Sequence, residues 1–150
     1  MTKRTLILVL AVALTFPAIL NARVAGVKSG DDLVAEVADK VKNIDTATLE
    51  KEIDTNPDLV LVDIRTYGEI SAMGGAIDAT QNVNIPRGWL EFRIGKHAQS
   101  KDVPIVVYCG GNIRSPLAAY TLTQMGYTNV RNYADGYLGW KKAGMPVAKP

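Results

Sequence analysis

The chain's only cysteine, Cys109, comes directly after an apolar run, Ile105–Tyr108, and directly before two glycines. Such a β-branched, apolar run indicates a strand that is buried on both faces. Ser115 and Pro116 then open a pattern of apolar residues at helical spacing, and a Ser cap followed by Pro is a common way for a helix to begin. The thiol is therefore predicted to lie where a buried strand ends and a tight loop leads into a helix.

That position would make the thiol reactive. The N–H groups at the start of a helix, together with the helix dipole, favour negative charge. Gly110 and Gly111 allow the backbone to curl into an anion-binding nest, and Arg114 adds a permanent cation. A thiol with an ordinary pKa of about 8.5 is acidified by such surroundings, so we predict a nucleophilic thiolate in a cradle that also binds an anion. The alternative is an inert cysteine buried at a strand end.

A second set of polar residues ends another buried run. Residues 59–62 are all apolar, and Asp63 and Arg65 follow them. Ligands of parallel sheets bind beyond the carboxyl ends of the strands, so these side chains should lie near Cys109 if the two strands are neighbours. Asp63 could then pair with Arg114 or hold N–H groups of the loop, and Arg65 could brace the loop or meet an anion. The alternative is a structural ion pair at the end of the strand.

Composition limits the remaining possibilities. A chain of 150 residues with 47% apolar and 21% charged residues suits one globular domain. The net charge of +2 is too small to indicate a nucleic-acid partner, although it is compatible with small anionic substrates. One cysteine and one histidine cannot build a usual zinc site. Chemistry at a cysteine thiolate needs neither a metal nor an organic cofactor, so we expect neither. His97 falls in a polar link and is assigned no role.

The N-terminus resembles an export signal. Lys3 and Arg4 precede a short apolar stretch that is followed by Pro17, and this order predicts a signal peptide over residues 1–25, cleaved near residues 22–26. We therefore expect an exported, periplasmic protein, with an uncleaved membrane anchor as the alternative. Residues 27–43 follow with the apolar stripe of an amphipathic helix.

Farther along, strand-like and helix-like segments alternate. Strands are predicted at residues 44–45, 59–62, 82–85, 105–108 and 129–133, and helices after Thr46, over 69–73, after Ser115 and after Tyr137. An irregular or helical piece at 89–94 offers Trp89, Leu90 and Phe92 as core residues. This alternation predicts an α/β fold with a mostly parallel central sheet and helices on both faces.

Four blocks of the sequence, in order, resemble the single-domain rhodaneses, and the resemblance covers about residues 44–147. They are Leu59-Val-Leu-Val-Asp-Ile-Arg65, Gly75-Ala-Ile77 leading to Val83-Asn-Ile-Pro86, Ile105-Val-Val-Tyr-Cys-Gly-Gly-Asn-Ile-Arg-Ser115, and Asp135-Gly-Tyr-Leu-Gly-Trp140 with Gly144-Met-Pro-Val147. The resemblance implies a single rhodanese-like domain and sulfurtransferase chemistry, in which a cysteine takes a sulfane sulfur, forms a persulfide and passes the sulfur on.

The resemblance also implies roles for individual residues. Cys109 matches the family's nucleophile, and Asp63 and Arg65 match its strand-end Asp-x-Arg, with Ser115 in a supporting position. The substrate-binding loop, whose N–H groups would hold the terminal sulfur or the anionic donor, corresponds to Gly110, Gly111, Asn112, Ile113 and Arg114. The implied partners are a thiosulfate-like donor and a thiol or cyanide acceptor, with a protein acceptor as a further candidate. Residues 73–82 lack a histidine common in the family, so a different local loop is expected there.

Loop length separates two chemistries. Cys109 and Arg114 form a Cys-x4-Arg pattern, whereas the related cell-cycle phosphatases and arsenate reductases use Cys-x5-Arg, whose extra residue widens the pocket for a tetrahedral phosphate or arsenate. The shorter loop favours sulfur transfer through a Cys109 persulfide. The alternatives are a persulfide carrier that serves a partner protein, and a cysteine-dependent phosphatase or arsenate reductase.

Overall fold

The computed structural model describes residues 26–150. The predicted signal peptide lies outside these residues and stays a prediction. Among residues 26–150, none of the helices combines the length and the hydrophobicity that a bilayer-spanning segment needs.

Thirteen helices and strands alternate along the described chain, in agreement with the α/β prediction. The strands are β1 (Lys42–Ile44), β2 (Val60–Asp63), β3 (Ala76–Ile77), β4 (Asn82–Asn84), β5 (Ile105–Tyr108), β6 (Val130–Tyr133) and β7 (Val147–Ala148). The helices are α1 (Gly30–Val37), α2 (Thr46–Thr55), α3 (Tyr67–Met73), α4 (Leu90–Arg93), α5 (Ser115–Gln124) and α6 (Gly136–Lys142). Short 3₁₀ turns, Arg87–Trp89 and Ile94–Lys96, flank α4.

Five strands form one parallel sheet in the order β1-β6-β5-β2-β4, so β5 is its central strand. Alternate residues of β5 point to opposite faces: Ile105 and Val107 pack into one core, and Val106 and Tyr108 into the other. Helices α1, α4 and α5 cover the first face, and α2 and α6 cover the second. The prediction of a parallel sheet with helices on both faces is therefore confirmed.

The first helix is shorter than predicted. It ends at Val37 instead of near residue 43, because Lys42 already pairs with Arg131 in the sheet. Its start is set by a capping box, in which the Ser29 hydroxyl accepts from the Asp32 N–H and the Asp32 carboxylate accepts from the Ser29 N–H.

Three residues near position 90 were predicted to lie in the core, and the prediction is wrong for two of them. Leu90 is fully buried, but Trp89 is 53% and Phe92 is 78% exposed. The short helix turns only one stripe inward, Leu90 and Ile94 at i and i+4, so the flanking aromatic residues face solvent. There the two rings meet edge to face, and the Arg93 guanidinium lies 4.5 Å from the centre of the Trp89 ring.

A two-stranded antiparallel sheet, β3 with β7, was not predicted. It brings the C-terminal segment alongside the corner that follows α3. At Gly75, with φ +129°, a Cβ atom would lie 2.1 Å from the carbonyl oxygen of Ala148, so this approach requires glycine. Strands of two residues carry no recognisable alternation, so they cannot be predicted from the sequence pattern.

Candidate active site

Cys109 follows the central strand β5, and α5 begins at Ser115. Strand β2 is the direct neighbour of β5, with Asp63 opposite Tyr108. The carboxyl ends of both strands therefore meet at one edge of the sheet, where the sequence analysis expected the site.

A later helix fixes the direction of the loop. The N–H groups of Tyr137 and Leu138, in the first turn of α6, donate to the carbonyl oxygens of Cys109 and Gly110 at 2.9 and 3.0 Å. Helix α6 can come this close because Gly136 has φ +61° and no side chain: a Cβ there would lie 2.8 Å from the Gly110 carbonyl oxygen. With the carbonyl groups held by α6, the loop amides are free to face the thiol.

The sulfur of Cys109 lies among donors. Its Sγ atom is 3.5 Å from the Ser115 hydroxyl, and the backbone N–H groups of Arg114, Ser115 and Gly111 also interact with it. Burial by itself would raise the pKa of Cys109, but these amides and the hydroxyl outweigh it, so the pKa is lowered. The residue packs against the core on one side while its sulfur meets the loop amides, an arrangement that stabilises a thiolate.

Ser115 does not cap α5 as the sequence suggested. The helix begins at Ser115 with Arg114 in the cap position, and no side chain caps it. The hydroxyl of Ser115, fully buried, is instead directed at the thiol. Pro116 occupies the second helical position, where its missing N–H is also tolerated.

Arg114 is held by a carboxylate, Glu69, that was not predicted as a site residue. Its guanidinium donates to both oxygens of Glu69 in α3, at 3.1 and 2.5 Å. This hydrogen bonding to Arg114 lowers the pKa of Glu69 to about 2. Glu69 also closes the capping box of α3, because its carboxylate accepts from the Thr66 N–H at 3.0 Å. The Thr-x-x-Glu pattern is visible in the sequence, but its contact with Arg114, 45 residues away, is not.

Asp63 contacts Arg65, not Arg114. Its carboxylate accepts from Arg65 Nε at 2.9 and 3.0 Å and from Nη2 at 2.5 Å, and both side chains are fully buried. Arg65 also donates to the Gly75 carbonyl oxygen at 3.0 Å and lies 4.0 Å from the centre of the Tyr137 ring. The ion pair thus joins the end of β2 to the α3–β3 corner and to α6, beneath the loop.

The turn of the loop is held from the side of the sheet. Asn112 has φ +62°, which is uncommon for a residue with a side chain. Its side-chain oxygen accepts from Nδ2 of Asn132 in β6 at 2.8 Å, and the same nitrogen donates to Asn43 in β1 at 2.8 Å. A chain of amide side chains therefore connects the loop to the edge of the sheet.

A pocket of about 370 Å³ lies beside the loop, with Cys109 in its wall. The lining consists of Glu69, Met73, Cys109, Gly110, Gly111, Ile113, Arg114 and Leu138. Ile113 is 70% and Leu138 is 52% exposed, so apolar side chains surround the entrance. His97 is exposed and lies elsewhere, after α4.

The comparisons with known proteins agree on a family. The family model of the rhodanese-like domain matches residues 45–143, so the chain belongs to the rhodanese-like family. A sulfurtransferase of Allochromatium vinosum is 36% identical over 110 residues, which cover 73% of this chain and 97% of that protein. Sulfur transfer is thus the activity that the family relationship supports.

Two solved structures are similar over most of the chain. The polysulfide-sulfur transferase homodimer of Wolinella succinogenes has a TM-score of 0.69 and 28% identity, over 79% of this chain and 85% of that one. A Rhodopseudomonas palustris protein of unknown function, described as a possible tyrosine phosphatase, has a TM-score of 0.72 and 30% identity, over 81% and 95%. The fold alone therefore does not separate sulfur from phosphate chemistry.

Proposed function

We propose that this chain is a sulfurtransferase that moves a sulfane sulfur from thiosulfate or a related donor to a thiophilic acceptor through a persulfide on Cys109. The observation that carries the proposal is the ring of donors around the thiol. The Arg114, Ser115 and Gly111 amides and the Ser115 hydroxyl lower the pKa of Cys109 despite its burial. Only the thiolate is an effective nucleophile, so this lowering directly increases reactivity at neutral pH.

The reaction is a double displacement. The Cys109 thiolate attacks the outer sulfur of thiosulfate, the new S–S bond forms, the S–S bond of the donor breaks, and sulfite leaves with the bonding electrons. The loop amides would then stabilise the negative charge on the terminal sulfur, as an oxyanion hole stabilises an alkoxide. An acceptor such as cyanide or a thiol removes that sulfur and restores the thiolate.

A persulfide carrier is the second candidate, and the apolar entrance favours it. Exposed Ile113 and Leu138 beside the thiol could meet a partner protein. Two aromatic residues, Trp89 and Tyr137, do not extend this surface. Tyr137 is fully buried, and exposed Trp89 does not line the pocket, so neither contributes to this argument.

Two-substrate kinetics test the proposal. When the reciprocal of the initial rate is plotted against the reciprocal of the thiosulfate concentration at several fixed cyanide concentrations, a double displacement gives parallel lines. A carrier would load from the donor but discharge slowly to cyanide and quickly to its protein partner. Release of phosphate from an aryl phosphate, without sulfur transfer, would overturn the proposal in favour of a phosphatase.

A further inference from the structure

The net charge at the entrance of the Cys109 pocket is close to zero, whereas a doubly negative donor would be bound best by a positive charge. Arg114 is the cation of the loop, but both of its hydrogen bonds to a side chain go to Glu69, and Glu69 itself lines the pocket. The pair is partly open to solvent, with side-chain exposures of 39% for Arg114 and 32% for Glu69. An entering anion therefore meets the guanidinium together with a carboxylate, and the two charges largely cancel.

Three further side chains of the wall are apolar. Met73, Ile113 and Leu138 line the same pocket, and the last two are more than half exposed. Such side chains gain by contact with an organic group, since covering apolar surface is favourable by roughly 25 cal/mol per Å². They offer no hydrogen bond to a sulfonate oxygen.

We propose that Glu69 is a specificity-determining residue that makes this pocket prefer singly charged sulfur donors bearing an organic group over doubly charged thiosulfate. The inference rests on the proposed sulfur transfer and identifies its donor class. For an organic thiosulfonate, the Cys109 thiolate forms a bond to the outer sulfur, the S–S bond of the donor breaks, and the electron pair leaves on the sulfinate. The charge of the reactants, one on each, equals that of the persulfide anion and the sulfinate.

Glu69→Gln tests this role with little disturbance of the fold. Glutamine at this position of a capping box can still accept from the Thr66 N–H, so α3 should keep its start. The matched control is Glu91→Gln, because Glu91 forms a similar pair with Arg87 at 2.8 Å and side-chain exposures of 34% and 32%, and it does not line the pocket.

The probes are thiosulfate and methanethiosulfonate, which differ in that a methyl group replaces one charged oxygen. Coulomb energy is proportional to ligand charge, so the logarithm of the gain should be twice as large for the dianion. For Glu69→Gln we expect kcat/KM to rise about tenfold with thiosulfate and about threefold with methanethiosulfonate, and for Glu91→Gln to change neither. Equal effects on both donors, or none, would overturn the role of Glu69.

A binding measurement keeps this test separate from turnover. Sulfate and methanesulfonate are inert ions of two and one charge, and each should protect Cys109 from alkylation by iodoacetamide. Glu69→Gln should strengthen protection by sulfate about tenfold and by methanesulfonate about threefold. If this pattern appears without sulfur transfer from either donor, the proposed function fails and the charge selection stands. If transfer occurs but the pattern is absent in both assays, the charge selection fails alone.

Discussion

Replacing Ser115 with alanine should make Cys109 a weaker acid without unfolding the protein. The Ser115 hydroxyl lies 3.5 Å from Sγ and is fully buried, so no water can easily replace it. When the cysteine is ionised, the hydroxyl donates to the thiolate and favours the charged form. Its removal destabilises the thiolate relative to the thiol, and the pKa of Cys109 should therefore rise.

The size of the effect follows from the kind of hydrogen bond that is lost. A hydrogen bond to a charged group contributes about 1.5–3 kcal/mol. Since about 1.4 kcal/mol is a factor of ten, the thiolate population below the pKa should fall at least about tenfold. The folded state should lose less, about 1 kcal/mol, because the neutral thiol is a weak partner for the hydroxyl.

The assay is the rate of alkylation by iodoacetamide as a function of pH. The chain has a single cysteine, so the reaction reports on Cys109 alone. The control is Ser100→Ala, since the Ser100 hydroxyl donates to Asp102 at 2.7 Å on an exposed surface and should leave the profile unchanged. A Ser115→Ala profile with the same midpoint as the unmodified protein would refute the account of how the thiolate is stabilised.

Three further predictions concern the supports of the site. Asp63→Asn should lower the unfolding free energy, measured with urea, by about 3–5 kcal/mol, because it leaves the Arg65 guanidinium buried without its carboxylate partner. A loss under about 1 kcal/mol would contradict a stabilising role of this ion pair. The pKa of Glu69 is lowered from 4.5 to about 2, so its ion pair with Arg114 stabilises the fold above pH 4.5, and this stabilisation is lost as the pH falls towards 2. In the Glu69→Gln variant, the unfolding free energy should change less between pH 4.5 and 2, by at most about 1 kcal/mol. A pH dependence identical to that of the unmodified protein would count against the ion pair. Gly136→Ala should slow alkylation of Cys109, because the new Cβ would lie 2.8 Å from the Gly110 carbonyl oxygen and displace the loop. An unaltered alkylation rate at full thermal stability would show that α6 does not determine the conformation of the loop.

The central strand, Cys109 and the start of α5 could be predicted because their signals are local. The apolar run at Ile105–Tyr108 and the Ser-Pro start of α5 lie within a few residues of the cysteine. The observed strand and helix coincide with these sequence signals. The predicted length of helix α1 is too great because its apolar stripe continues beyond Val37. The helix ends there because the following segment, β1, pairs with β6 in the sheet.

What the sequence could not provide was contact across long separations. The Glu69–Arg114 pair joins residues 45 apart, and the α6 amides that orient the Cys109 and Gly110 carbonyl groups come from a later helix. Likewise, the apolar character of Phe92 does not show which way a short helix turns, and that ring lies in solvent. Such features arise only when distant elements pack together.

The most direct test of the central claim is the mass of the intact protein after incubation with a sulfane-sulfur donor, using both thiosulfate and methanethiosulfonate. We predict a gain of one sulfur atom, located on the peptide that contains Cys109, removed by cyanide, and absent in the Cys109→Ser variant. A protein that gains no sulfur from either donor, or that gains it equally after Cys109→Ser, would contradict the account.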